Sequence, residues 1–169
     1  MEDLKTFSEK GGLVFGICNG FQILCEAGLL PGALIRNNCI EFRCVNQCLA
    51  PEDSTEDFSK ANLGEQIYLP VAHGEGNYRL DADDLSELEA NGQVLLRYAG
   101  DPADGPGHGN PNGSVNDIAG VRNAAGNVFG MMPHPERVVE PFHPGLDGID
   151  VLRAFLAPLL DEPVELASA

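Results

Sequence analysis

Leu13-Val14-Phe15-Gly16-Ile17-Cys18-Asn19-Gly20-Phe21-Gln22-Ile23-Leu24 carries two different periodicities on either side of one cysteine. Before Cys18 the run is apolar and of strand length; after it, Phe21, Leu24 and Cys25 recur at helical spacing as far as Gly28. The stretch predicts a strand, a sharp elbow and a helix. A side chain on such an elbow is presented at the carboxyl end of the strand and over the amino end of the helix, the edge where ligands of open α/β sheets bind. Unpaired N–H groups and the partial positive charge of a helix start favour thiolate, the attacking form of the side chain. Gly16 and Gly20 suit a strained turn that a substrate approaches closely. Cys18 is therefore the candidate nucleophile, expected to ionise below the ~8.5 of a free cysteine. By residue type alone each of the five cysteines reads as a small buried hydrophobe, and the elbow singles out Cys18.

Leu4 and Phe7, followed by Gly11-Gly12, read as the tail of an amphipathic helix closed by glycine. A domain seldom opens on a helix tail that leads directly into its catalytic strand, so the expectation is an N-terminally incomplete domain. Beyond the elbow helix, Gly28-Leu29-Leu30-Pro31-Gly32 turns the chain, and residues 39–49 read as extended. Cys39, Cys44 and Cys48 fall in this run without a Cys-x2-Cys pair or a nearby histidine, which argues against zinc and gives no metal expectation. Residues 51–59 form an acidic, polar loop. The strand 66–71 then delivers Ala72-His73-Gly74-Glu75-Gly76-Asn77-Tyr78, read from pattern as a surface connection or part of a binding site. A short helix over 85–89, a turn at Asn91-Gly92, a strand over 93–98 and an irregular stretch over 100–114 follow. Ile118–Val121 and Val128–Met132 pair as a hairpin across Asn123-Ala124-Ala125-Gly126. An amphipathic helix over 147–160 closes the chain, with a loose tail over 162–169.

At 169 residues the chain fits one domain with a real core. Its 26 acidic residues against 10 basic ones argue against nucleic acid and anionic membrane as partners, since both reward clustered Lys and Arg. No apolar run approaches the ~18 residues of a bilayer span, and the acidic start Met1-Glu2-Asp3 does not read as a signal peptide. An odd number of cysteines points to free thiols in a reducing cytoplasm. Asn112-Gly113-Ser114, a formal glycosylation acceptor, is read as a turn.

A cysteine nucleophile needs a base, and the base needs a group that holds its tautomer. His134 and Glu136 stand two apart after an apolar strand, so an extended backbone would turn both side chains the same way. Pro133 and Pro135 restrict the backbone of His134 and favour a fixed ring. Standing alone, His134 would read as a surface histidine in a proline turn; with Cys18 it completes a Cys18, His134, Glu136 triad. His73 is a weaker rival for the base, and His108 and His143 lie in segments too irregular to place.

Gly16-Ile17-Cys18-Asn19-Gly20-Phe21-Gln22 together with Pro133-His134-Pro135-Glu136 resembles the class I, triad-type glutamine amidotransferases. Gly28–Leu34, Ala72–Tyr78, Asn110–Ser114 and Gly126–Met132 carry the resemblance further, across residues 8 to 157 and into a branch that serves purine biosynthesis. The resemblance implies a single flavodoxin-like α/β domain over 1–169, an open, mostly parallel sheet with flanking helices. It implies that Cys18 attacks the side-chain amide of glutamine, that His134 passes a proton to the departing ammonia, and that Glu136 orients His134. By the same carry-over the Asn19 backbone N–H is an oxyanion donor, Gln22 seats the substrate, and His73 and Glu75 lie near the site. It implies no cofactor in this chain. The ammonia would go to a large synthetase subunit, alongside a small accessory one, that uses ATP and magnesium to convert formylglycinamide ribonucleotide to its amidine.

Such domains open with further strand and helix units and a Pro-Gly-Gly loop that supplies the second oxyanion donor. Neither stands ahead of Leu13, and losing one such donor typically costs about 10²- to 10³-fold in rate. An alternative is therefore a non-catalytic module that only binds the synthetase. Another is a different cysteine hydrolase on a similar elbow, which leaves the His73 and Asn110 blocks without a purpose.

Overall fold

The computed structural model describes residues 1–52, 63–143 and 147–156; the acidic loop expected over 51–59 and the tail over 162–169 lie wholly or largely outside them. The elements in order are α1 (Glu2–Glu9), β1 (Val14–Ile17), α2 (Asn19–Glu26), β2 (Ala33–Ile35), β3 (Arg43–Pro51), β4 (Ile67–His73), β5 (Asn77–Arg79), α3 (Ala82–Ala90), β6 (Val94–Tyr98), β7 (Ile118–Arg122), β8 (Val128–Met131) and α4 (Asp147–Leu156). Six strands form one sheet in the order β1-β8-β7-β6-β3-β4, and β2 pairs separately with β5.

The expected α/β class with flanking helices is what the chain adopts, with a mixed sheet. Only β1 and β8 run parallel, in the register Val14–Val128 to Ile17–Met131; the other pairings of the large sheet are antiparallel. The expected predominance of parallel pairs is thus not met among the described residues, for a local reason. The turn Asn123–Asn127 is too short for a crossover and must return β8 antiparallel to β7, as the hairpin signal predicts.

Because β8 is buried on both faces, its side chains feed two cores. Phe129 and Met131 join Leu49, Leu69, Val71 and Phe155 on one side, and Val128 joins Phe21, Leu24, Leu30 and Tyr78 on the other. Phe155 brings α4 onto the first face, stacking on Phe15 with ring centroids 4.0 Å apart and meeting Phe129 edge-on at 5.0 Å. On the opposite face α2 lies so close to the sheet that a Cβ at Gly130 would run into Phe21 and Leu30. Asn127 ties α1 to the sheet by donating to the carbonyls of Ser8 and Gly12 at 2.8 and 2.9 Å. These contacts set β1, β8 and α2 as one rigid block, and the carboxyl ends of β1 and β8 share an edge.

Candidate active site

At that edge the backbone of Cys18 turns with φ 52° and ψ −107°, a left-handed conformation rare for a residue with a side chain, and α2 begins at the next residue. The Cys18 N–H donates to the Met131 carbonyl at 2.8 Å, which extends the β1–β8 ladder by one bond and spends that donor. The Asn19 N–H favours the ionised form of the sulfur. Gly16 makes the elbow possible, since a Cβ there would stand 2.7 Å from the Gly20 carbonyl carbon.

The expected lowering of the Cys18 pKa is not what the structure gives. Burial pushes the thiol up, and this outweighs the Asn19 N–H and the Arg137 guanidinium, which act in the opposite sense; the Glu136 carboxylate adds to the rise. The helix start helps the thiolate, but loss of solvent costs more. In the resting geometry the sulfur leans toward the Ala72 carbonyl at 4.0 Å.

His134 follows β8 and is anchored to β4 of the same sheet, its backbone N–H donating to the Pro70 carbonyl at 2.8 Å. Its Nδ1 stands 2.7 Å from Glu136 Oε1, the contact expected of a carboxylate that fixes the tautomer and supports the imidazolium. The route differs from the expected extended backbone. Pro135–Arg137 form a turn of 3-10 helix, so Glu136 curls back to the ring instead of projecting two positions along a strand. His134 is 6% exposed, and its Nε2 is buried without a hydrogen-bond partner. A buried, unpaired acceptor of this kind is costly unless a donor visits it.

Cys18 and His134 line one cavity of about 420 Å³ together with Asn19, Gln22, His73 and Glu75, so every site residue expected from sequence is there except Glu136, which reaches it through His134. Gln22 Nε2 donates to the Glu75 carbonyl at 2.7 Å, joining α2 to the loop after β4. That loop is no simple surface connection: His73, Gly76, Asn77 and Tyr78 are buried. His73 continues the inward face of β4 after Ile67, Leu69 and Val71.

Asn37, which pattern reading missed, decides the state of His73. The Asn37 amide nitrogen donates to the Glu41 and His73 carbonyls, both at 2.9 Å, so its oxygen must face Gly76 N–H at 2.9 Å and His73 Nδ1 at 3.3 Å. Nδ1 then carries the proton and Nε2 is a bare acceptor. Burial, with His134 adding in the same direction, pushes the His73 pKa down to about 4. A ring that resists protonation to that degree is a poor general base near neutral pH, which favours His134 over it.

The stretch read as a turn at Asn112–Ser114 is instead the floor of this loop. Asn112, fully buried, donates to the Gly76 carbonyl at 2.8 Å and the Tyr98 hydroxyl at 3.0 Å, and Ser114 Oγ donates to the Gly76 carbonyl at 3.1 Å. Sequence reading also passed over Arg137 and Phe42, both of which line the cavity. Among the described residues no group of three His, Cys, Asp or Glu side chains is placed to hold a metal ion, all five cysteines are unpaired, and no helix is long and apolar enough to cross a membrane.

An elbow cysteine and a carboxylate-held histidine line one cavity, and residues 1–145 match the family model for a CobB/CobQ-like glutamine amidotransferase domain; the chain belongs to that family. Within it, relatives about half identical to this chain share one name. Phosphoribosylformylglycinamidine synthase subunit PurQ from Synechococcus elongatus is 51% identical over 94% of this chain and 68% of its own length, and that from Salinibacter ruber 54% identical over 92% and 67%. A solved structure of PurLQS from Thermotoga maritima aligns with a TM-score of 0.75 and 42% identity, over 93% of this chain and 66% of that one. The chain thus spans about two thirds of the length of the proteins it matches.

Proposed function

We propose that the protein is the glutaminase subunit of a phosphoribosylformylglycinamidine synthase, releasing ammonia from glutamine at Cys18 for use by a synthetase partner. The observation that carries the chemistry is that His134 has Glu136 on one ring nitrogen and an unpartnered second nitrogen, in the wall of the cavity that also holds Cys18. The similarity to the PurQ subunits and to the PurLQS structure supports the assembly.

A rotation of the Cys18 side chain away from the Ala72 carbonyl lets the thiol give its proton to His134 Nε2. The sulfur then attacks the amide carbon, and negative charge develops on the amide oxygen toward the Asn19 N–H, the elbow donor not used by the β1–β8 ladder. The imidazolium, held by Glu136, returns its proton to the amide nitrogen; the C–N bond breaks and ammonia leaves. Water, deprotonated by the same ring, hydrolyses the thioester to glutamate and restores the thiol. Burial keeps Cys18 protonated at rest, so nucleophile and base are charged together only when the proton passes between them.

No cofactor takes part in these steps. ATP and magnesium act in the synthetase partner, which amidates formylglycinamide ribonucleotide, and the unpaired cysteines support a reducing cytoplasm as the compartment.

In complex with the synthetase, Cys18→Ala should lower glutamine-dependent amidation by roughly 10³-fold or more while ammonium-dependent amidation persists. Loss of both activities, or of neither, would count against the reading.

A further inference from the structure

The proton-transfer chemistry leaves two charged residues of the cavity without a task. Among its lining residues Arg137 is the only Lys or Arg and Glu75 the only carboxylate, and they come from separate loops, one after β8 and one after β4. Arg137 Nε lies 3.5 Å from Glu136 Oε1, but its two terminal nitrogens have no hydrogen-bond or ion-pair partner among the described residues. Arg43, Arg97 and Arg153, by contrast, turn terminal nitrogens to carboxylates of this strongly acidic chain. Arg137 keeps its planar fork available in the wall of a cavity, half-exposed and close enough for its charge to be felt at the Cys18 sulfur. A guanidinium with a free fork is the side chain best matched to a carboxylate, because two parallel N–H groups meet two oxygens.

We infer that Arg137 receives the α-carboxylate of the amide substrate and Glu75 its α-ammonium, so that the cavity selects a free amino acid rather than a primary amide as such. This inference rests on the glutaminase reading of the site. It makes Arg137 a specificity-determining residue, with a second contact that steadies Glu136.

The test compares L-glutamine with γ-aminobutyramide, the same amide without its α-carboxylate, as substrates of the complex. The native protein should prefer L-glutamine by roughly 10- to 100-fold in kcat/KM, the range of one charge-assisted contact, and Arg137→Gln should bring that preference close to one through KM. Arg137→Lys should restore part of it. An Arg137 that only steadied Glu136 would lower kcat for both amides alike and leave the preference intact, which overturns the inference. A second measurement does not depend on turnover. Iodoacetate, an anion, and iodoacetamide, its neutral counterpart, are compared for their rates of modifying Cys18, read on the Cys18 peptide by mass spectrometry. Arg137→Gln should reduce the iodoacetate-to-iodoacetamide ratio several-fold. An unchanged ratio overturns the inference, whereas absent glutamine hydrolysis together with a reduced ratio counts against the proposed function alone.

Discussion

Two side chains of the site are displaced from their usual ionisation in ways that can be measured. For Cys18 the elbow and the helix start suggest an acidic thiol, yet burial dominates and raises it. Alkylation by iodoacetamide should therefore rise with pH through a midpoint above the ~8.5 of a free cysteine in the resting protein, and a midpoint below that value would show that the helix start prevails. His73 is lowered from the ordinary imidazole value near 6.5 to about 4. Between those values the unfolded chain binds a proton at this position that the folded chain refuses, so unfolding takes up protons and stability rises with pH across the window. The contribution is complete above 6.5 and lost as pH falls toward 4, on the order of 3 kcal/mol in total. His73→Gln should flatten this part of a urea-unfolding profile taken across that range. The same steepness in variant and native protein would place the acid lability elsewhere.

The elbow is an element whose parts depend on one another. β1 must be extended to pair with β8, Cys18 must take a left-handed turn, and α2 must start at once so that Phe21 and Leu24 reach the core. Gly16→Ala tests this dependence, because the added carbon would meet the Gly20 carbonyl, which is backbone and cannot swing aside. We expect a loss of about 1 to 3 kcal/mol in unfolding free energy, as for other overpacked positions, with a fall in Cys18 reactivity beyond what stability explains. Thermal and denaturant unfolding, read beside alkylation rate, check both. The opposite wall of the cavity hangs on Asn37, which makes four hydrogen bonds from one amide. Asn37 is legible in sequence only as a polar loop residue. Its partners come from residues 41, 73 and 76, a convergence that no local pattern announces.

At the scale of the whole molecule the chain carries a formal charge of −16, and like charges oppose the compact state. Raising salt from about 0.05 to about 0.5 M shortens the Debye length from above 10 Å to a few ångströms, so Tm should increase by several degrees in a thermal scan. A flat response would mean that the acidic groups are already balanced locally, as Glu52 and Glu89 are by Arg97. Much of the architecture was legible beforehand: the strand-elbow-helix stretch, the hairpin of β7 and β8, the helix after residue 81 and the closing amphipathic helix each rest on periodicity or turn chemistry within a dozen residues. That Cys18 and His134 would line one cavity was legible because a cysteine nucleophile calls for a base. Sequence alone determined which side chains could do chemistry, since an elbow, a proline-locked imidazole and a carboxylate two positions on are written locally. Only the tertiary structure decided how they stand: the 3-10 turn that folds Glu136 back, the Asn37 amide that fixes the His73 proton on Nδ1, the burial that keeps that ring neutral and raises Cys18, and the placing of Arg137 in the cavity wall. Those depend on which distant segments meet and how much water they exclude, and neither solvent exclusion nor long-range convergence has a signature in a stretch of adjacent residues.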